Sequence, residues 1–234
     1  MQPLLSRFTK VALFAIAMGC LEAIVVVYLR ELFYPQGFDF PLHNMPPHLI
    51  LIELSREVAT VVMLLMVGQL AGNNGLQRFA FFTIAFAVWD IFYYVFLFIF
   101  LQWPSGLATW DILFLIPLPW VGPVWCPLLL AVTMIAGSCH YLWVTGRGIA
   151  YPIYRLHWFL LLSGSLLCIL AFVWDYLQVY LLQRGNTQAL INFSQTHVPQ
   201  IFQTELFLLG YALLLSPFLL IVYQLHKNQT HEKK

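Results

Sequence analysis

Charge is what this sequence has least of. Only 9% of its 234 residues are Asp, Glu, Lys or Arg, against about 25% in an ordinary soluble domain. So few charges cannot cover the surface of a soluble core of this size, which excludes a cytosolic globular protein. Disordered chains need many polar and charged residues, so that class is excluded too. The net charge of +1 supplies no basic stripe for phosphates, which excludes a nucleic-acid binder. Four cysteines, Cys20, Cys126, Cys139 and Cys168, form no C-x-x-C pair, so neither a zinc knuckle nor a thioredoxin-type motif is present. The usual catalytic signatures are missing as well. There is no G-x-x-x-x-G-K-[ST], no H-E-x-x-H, no G-x-S-x-G and no desaturase-like histidine box. Gly146-Arg147-Gly148 lacks the third glycine and the preceding strand of a dinucleotide fingerprint.

What is present is apolar: 61% of residues are hydrophobic and 17% aromatic. A helix needs about 20 apolar residues to cross a bilayer. Six stretches qualify, at about 11–30, 49–70, 79–101, 124–144, 158–182 and 204–226. Turn signals follow them, such as Tyr34-Pro35-Gln36-Gly37 and Gly72-Asn73-Asn74-Gly75. The expected fold is therefore an all-α integral membrane protein, a bundle of six transmembrane helices forming one polytopic domain over 1–234. Between spans three and four, Gln102 to Pro123 holds Trp103, Trp110 and Trp120 among prolines 104, 117, 119 and 123. Its apolar run 112–116 is too short to span. Trp favours the headgroup level and Pro interrupts helices, so this segment is expected to be interfacial or re-entrant.

Six spans put both termini on one side. Arg7, Lys10, Arg78, Arg147, Arg155, Lys227, Lys233 and Lys234 fall there, against Arg30 and Arg184 opposite. The positive-inside rule makes the first side cytoplasmic, as in a bacterial inner (plasma) membrane. Ala17-Met18-Gly19-Cys20 loosely resembles a lipoprotein cleavage site, but the apolar run continues through Tyr28, too long for a signal peptide. Asn192-Phe193-Ser194 is a glycosylation sequon, meaningful only in a eukaryotic secretory setting.

Charges inside a bilayer cost about 2.5–3.5 kcal/mol each on insertion scales, so they mark function by default. Glu22, Glu53, Arg56, Glu57, Asp90 and Asp175 fall within the spans. At about 1.5 Å per residue, Glu22 and Glu57 lie about 12 Å from the outer ends of their helices, Asp175 about 10 Å, Asp90 about 16 Å and Glu53 about 6 Å. Span two concentrates the signal: Glu53, Arg56, Glu57 and Thr60 stand at i, i+3, i+4 and i+7 and share a face. The five donors of Arg56 are expected to bridge Glu53 to an acid on another helix, Glu22 or Asp90. The acids outnumber this one cation. Carboxylates crowded in low dielectric bind protons, bind a cation or face water. The alternative is structural, with Arg56 as glue between helices and Asp90 bonded to Tyr93 or Tyr94.

Three of the four Asp residues follow a Trp, at Trp89-Asp90, Trp110-Asp111 and Trp174-Asp175, suggesting acids turned inward beside anchoring indoles. The first outer loop carries His43, Met45 and His48, a weak candidate set for copper or another soft metal ion, with His197 able to join. His140 is a candidate proton relay, more simply read as packing. Small residues recur every four positions at Ala15, Gly19 and Ala23, at Thr133 and Gly137, and at Gly164 and Cys168, a spacing that lets helices approach closely.

The residues favour a transporter or channel-like component handling a cation or proton at Glu22, Glu53, Arg56, Glu57, Asp90 and Asp175, with Tyr93, Tyr94 and Asp111 as accessories. One alternative is a membrane-embedded enzyme, metal-dependent or not, acting on a lipid-like substrate. The other is a non-catalytic subunit or assembly factor of a membrane complex. The expected partners are the lipid bilayer, a cation, proton or lipid-like ligand, and further subunits, with no nucleic acid.

Overall fold

The structure is a computed structural model and describes residues 2–231. Lys233 and Lys234 of the charge asymmetry lie outside the described residues. The chain order is α1 (Gln2–Phe33), α2 (Pro47–Ala71), α3 (Gly75–Leu101), β1 (Trp110–Phe114), β2 (Trp120–Pro123), α4 (Trp125–Gly146), α5 (Arg155–Leu182), α6 (Thr187–Ser194) and α7 (Thr204–His231).

Five helices, α1, α3, α4, α5 and α7, are long and apolar enough to cross a membrane, as those of an integral membrane protein are. The sixth expected span coincides with α2. It has the length, at 25 residues, but carries Glu53, Arg56 and Glu57 within five positions and is not among the five. The fold is mostly helical, in keeping with the all-α expectation, with one short hairpin. The segment expected to be interfacial or re-entrant contains an antiparallel hairpin, with Trp110 opposite Pro123 and Ile112 opposite Val121, and an irregularity between Ile112 and Phe114. Prolines 117 and 119 withhold helix donors at its turn, and the run before them, Trp110–Phe114, is a strand.

Local chemistry sets the helix ends. Pro47 opens α2, where its missing N–H costs nothing. The Asn74 side chain accepts the Gln77 N–H at 2.9 Å and caps α3. Helix α1 begins well before the expected position 11. Arg7 donates to the Ala71 carbonyl at 3.3 Å and to Asn73 Oδ1 at 2.9 Å, which ties the second turn of α1 to the α2–α3 connection.

Helix α3 packs against α1, α2 and α4, and α5 packs against α7. One core gathers Val11, Ala15, Leu64, Phe81, Ile84 and Trp89. A second gathers Cys126, Cys168, Ala171, Phe172 and Phe207. The hairpin joins them: Phe114 lies against Phe86 and Trp89, while Trp120 stacks on Phe172 with ring centroids 6.1 Å apart.

Two of the three small-residue stripes are contact sites. A Cβ on Gly19 would stand 2.9 Å from the Trp89 carbonyl oxygen, and Ala15 and Ala23 beside it are fully buried. Gly164 and Gly210 face each other across α5 and α7, where a Cβ on Gly164 would stand 2.7 Å from the Gly210 carbonyl oxygen. The third stripe is different. Gly137 has open space around its Cβ position, while Thr133 bonds the Tyr211 hydroxyl at 2.9 Å. Gly164→Val is therefore expected to destabilise the protein by about 1–3 kcal/mol, because neither backbone can retreat without separating the helices. Gly137→Ala is expected to be neutral or stabilising by up to about 1 kcal/mol through helix propensity. Thermal unfolding of the two variants in detergent separates them; an equal loss in both would contradict this packing.

Candidate functional site

At the end of the bundle where α1 finishes and α2 begins, a cavity of about 820 Å³ opens among α1, α2, α3, the hairpin and α6. The α1–α2 loop and helix α6 both line it, and the Leu42 N–H, which donates to the Ser194 carbonyl at 2.9 Å, ties them together. The walls are mostly apolar, with Val26, Leu29, Ile50, Leu54, Leu113 and Leu118 among them. Five carboxylates line it, Glu22, Glu53, Glu57, Asp90 and Asp111, with only two guanidiniums, Arg30 and Arg56.

Helical spacing explains the first group. Arg56 stands three residues after Glu53 and pairs with it through two nitrogens, Nε reaching Glu53 Oε2 at 3.0 Å. Its remaining arm pairs with Glu22 of α1. Glu22 also accepts the Thr60 hydroxyl at 3.2 Å, one helical turn beyond Arg56. Arg56 thus bridges two helices. Glu57 takes a different partner: both its oxygens accept the Leu115 backbone N–H, at 2.9 and 3.0 Å. That contact anchors the hairpin to α2 and satisfies an edge donor that hydrocarbon would leave unpaired.

Arg30 and Asp111 form the second group. Arg30 ends α1 with basic charge, and its Nη2 reaches Asp111 Oδ1 at 3.3 Å. The Tyr94 hydroxyl donates to Asp111 Oδ2 at 3.2 Å. Asp111 is 2% exposed and Arg30 7%. The guanidinium lies 3.7 Å from the Trp103 ring centroid and 4.5 Å from that of Phe38, two rings set nearly at right angles to each other beside its charge. Burial pushes the Asp111 carboxyl up to about 6, against the opposing pull of Arg30. Outside the helix, burial also raises the Tyr34 hydroxyl above its ordinary range.

Asp90, Tyr93 and Tyr94 line the same cavity. No described side chain donates a hydrogen bond to Asp90. Asp175 stands apart from this group. It pairs with His197 at 3.0 Å beside Phe40 and Trp110, in a separate small cleft. The depth estimate placed it level with the other acids, but its direction around α5 turns it away. The anchoring role expected of the indoles beside the acids does not hold for Trp89, which is 5% exposed and packs into the first core.

Of the loop set His43, Met45 and His48, the first two line the cavity. His43 stacks on Tyr34 and its Nδ1 meets the Phe33 carbonyl. His48 is exposed, and it is absent from the cavity wall that His43 and Met45 line. Among the described residues no three His, Cys, Asp or Glu gather as a metal-holding group. His140 bonds the Tyr151 hydroxyl at 3.0 Å and packs on Phe218, outside the cavity.

Two functional candidates escaped the sequence reading. Arg30 counted only as a topology marker, and the Trp89 indole only as an anchor. Each leaves one buried N–H without a partner, at Arg30 Nη1 and Trp89 Nε1. Arg30 was recoverable in principle, because Asp111 is the single acid between spans three and four and needed a cation.

Fold and site together define a mostly helical protein with membrane-length apolar helices and a charged cavity near one end. The chain matches no family model, no curated protein and no solved structure.

Asp111→Ala is expected to lower stability by about 3 kcal/mol, because it strands a buried guanidinium. Asp111→Asn keeps an oxygen for Arg30 or Tyr94 and should lose less. Thermal unfolding in detergent reads both, and losses within about 0.5 kcal/mol of wild type would show that the pair does not hold the hairpin.

Proposed function

We propose that the chain is a six-span polytopic membrane protein, with both termini cytoplasmic, that handles a proton or other cation in the outer half of the bilayer as a transporter or channel-like component. The sixth span in this reading is α2, whose charges face Glu22 and the hairpin instead of lipid. The observation that carries the proposal is the acid excess of the cavity, five carboxylates against two guanidiniums. Arg56 is engaged by Glu22 and Glu53, and Arg30 by Asp111. Among the described residues Glu57 and Asp90 form no ion pair, Arg56 acting on Glu57 only from beyond contact distance, and an ionised carboxylate in low dielectric is costly, so a proton or cation stabilises the site. Asp90 is the group best suited to exchange it, since it lines the cavity without a protein donor.

A second reading is a membrane-embedded enzyme acting on a lipid-like substrate. The cavity's size favours it, because about 820 Å³ with mostly apolar walls suits an organic molecule far better than a bare ion. Asp90 and Tyr93 would then be its acid–base candidates, within reach of a substrate entering from the apolar walls.

Proton uptake by liposomes containing the purified protein tests the first reading. Wild type is expected to carry a flux that Asp90→Asn reduces at least tenfold while the variant's melting temperature stays near wild type. Flux unchanged in Asp90→Asn would sink it. A stoichiometric metal lost in Glu57→Gln would favour a metal-dependent enzyme. If Arg56→Met, Glu57→Gln and Asp90→Asn all lose stability in proportion to phenotype, the cluster is glue and the protein a structural subunit.

A further inference from the structure

Two polar groups in the cavity are both open and unused. Among the described residues the Asp90 carboxylate and the Tyr93 hydroxyl make no hydrogen bond. Neither is one of the fully covered polar atoms without a partner, which are Arg30 Nη1 and Trp89 Nε1. Asp90 and Tyr93 are half-buried, and both line the cavity. Their oxygens therefore open on its space. The helix sets how far apart they stand. Asp90 and Tyr93 are i and i+3 on α3, so they share a face with Cβ atoms about 5–6 Å apart. One small head group can touch both.

From this arrangement we infer that the cavity binds a protonated amine with an apolar body, its ammonium N–H groups donating to the Asp90 carboxylate and to the Tyr93 hydroxyl oxygen. The inference rests on the proposed cation site and names the class of cation. Charge selects the head. Arg30 is taken by Asp111, and Arg56 by Glu22 and Glu53, so neither guanidinium is left for Asp90. A neutral head would leave an ionised Asp90 uncompensated in low dielectric. An anionic head would be repelled twice, because Asp111 lies within electrostatic range of Asp90. Space selects the body. A bare metal ion needs several ligands closing on one point, and among the described residues no three His, Cys, Asp or Glu do so. A cavity of about 820 Å³ walled by Val26, Leu29, Leu54 and Leu113 suits an organic body instead.

The test is calorimetric titration of the full-length protein in detergent at neutral pH. Four probes share one scaffold: 4-phenylbutylamine, its N,N,N-trimethyl analogue, 4-phenylbutanol and 4-phenylbutyrate. The amine is expected to bind one-to-one, with the alcohol and the butyrate at least tenfold weaker. The trimethyl analogue carries the charge without an N–H and should be weaker than the amine by roughly threefold or more. Asp90→Asn should weaken the amine at least tenfold and leave the alcohol unchanged. Tyr93→Phe keeps the ring, deletes the hydroxyl and should weaken the amine by roughly fivefold.

Equal binding of all four probes overturns the inference, as does preference for the alcohol or the butyrate. So does a trimethyl analogue that binds as tightly as the amine, or an amine affinity unchanged within twofold in either variant. The probe comparison on wild type decides even if a variant does not fold. Binding and flux are read separately. A proton flux lost in Asp90→Asn, without amine binding to wild type, keeps the proton reading and removes this inference. Amine binding without proton flux keeps this inference and removes the proton as the cargo.

Discussion

A guanidinium taken out of water must keep its partners, and Arg30 finds them by drawing the hairpin against the end of α1. Asp111 supplies the counter-charge at 3.3 Å, and Trp103 and Phe38 supply the ring faces. Tyr94 completes the carboxylate from α3. This one set of contacts places three separate parts of the chain side by side. It also decides where the hairpin strands run, so that Leu115 reaches Glu57 on α2 and Trp120 reaches Phe172 on α5. Breaking a buried pair is far more costly than its net contribution suggests, because the surviving charge stays in low dielectric.

The hairpin is thus a bridge between two helix groups and at the same time a wall of the cavity. Short strands in such a place would ordinarily expose edge donors to hydrocarbon. Here one of them is given to a carboxylate, and the loop preceding β1 turns back to accept the Val124 and Trp125 N–H groups at 3.0 and 2.9 Å. The polar groups that make the site are therefore also the groups that make a non-helical segment tolerable inside the bundle. Function and architecture draw on the same residues.

Close backbone contact supplies the remaining rigidity. Gly19 lets α1 touch α3 next to Trp89, and Gly164 with Gly210 lets α5 touch α7. The first contact lies just below the cavity on the same α1 face as Glu22, three residues on. Packing there holds the acid and the Trp89–Asp90 pair at a set spacing without any hydrogen bond between them.

Much of this could be read from the residues alone. Five of six apolar runs became helices with membrane length and composition, because hydropathy along one helix is a local property. The grouping of Glu53, Arg56 and Thr60 followed from the helical repeat, and Arg56 reaching Glu22 followed from the need of a buried cation for counter-charge. What tertiary structure decided was direction and pairing between distant segments. Asp175 matched its companions in depth yet faces His197 in another cleft, since depth along an axis says nothing of rotation about it. The Trp/Pro segment could be marked as unable to span, but its strands exist only because α1, α2 and α5 supply partners for them. Arg30 looked like a headgroup charge from its place in the chain, and became a cavity residue only when Asp111, 81 positions later, was folded against it. Local sequence sets which residues are too polar for lipid; only the packed bundle sets which of them meet.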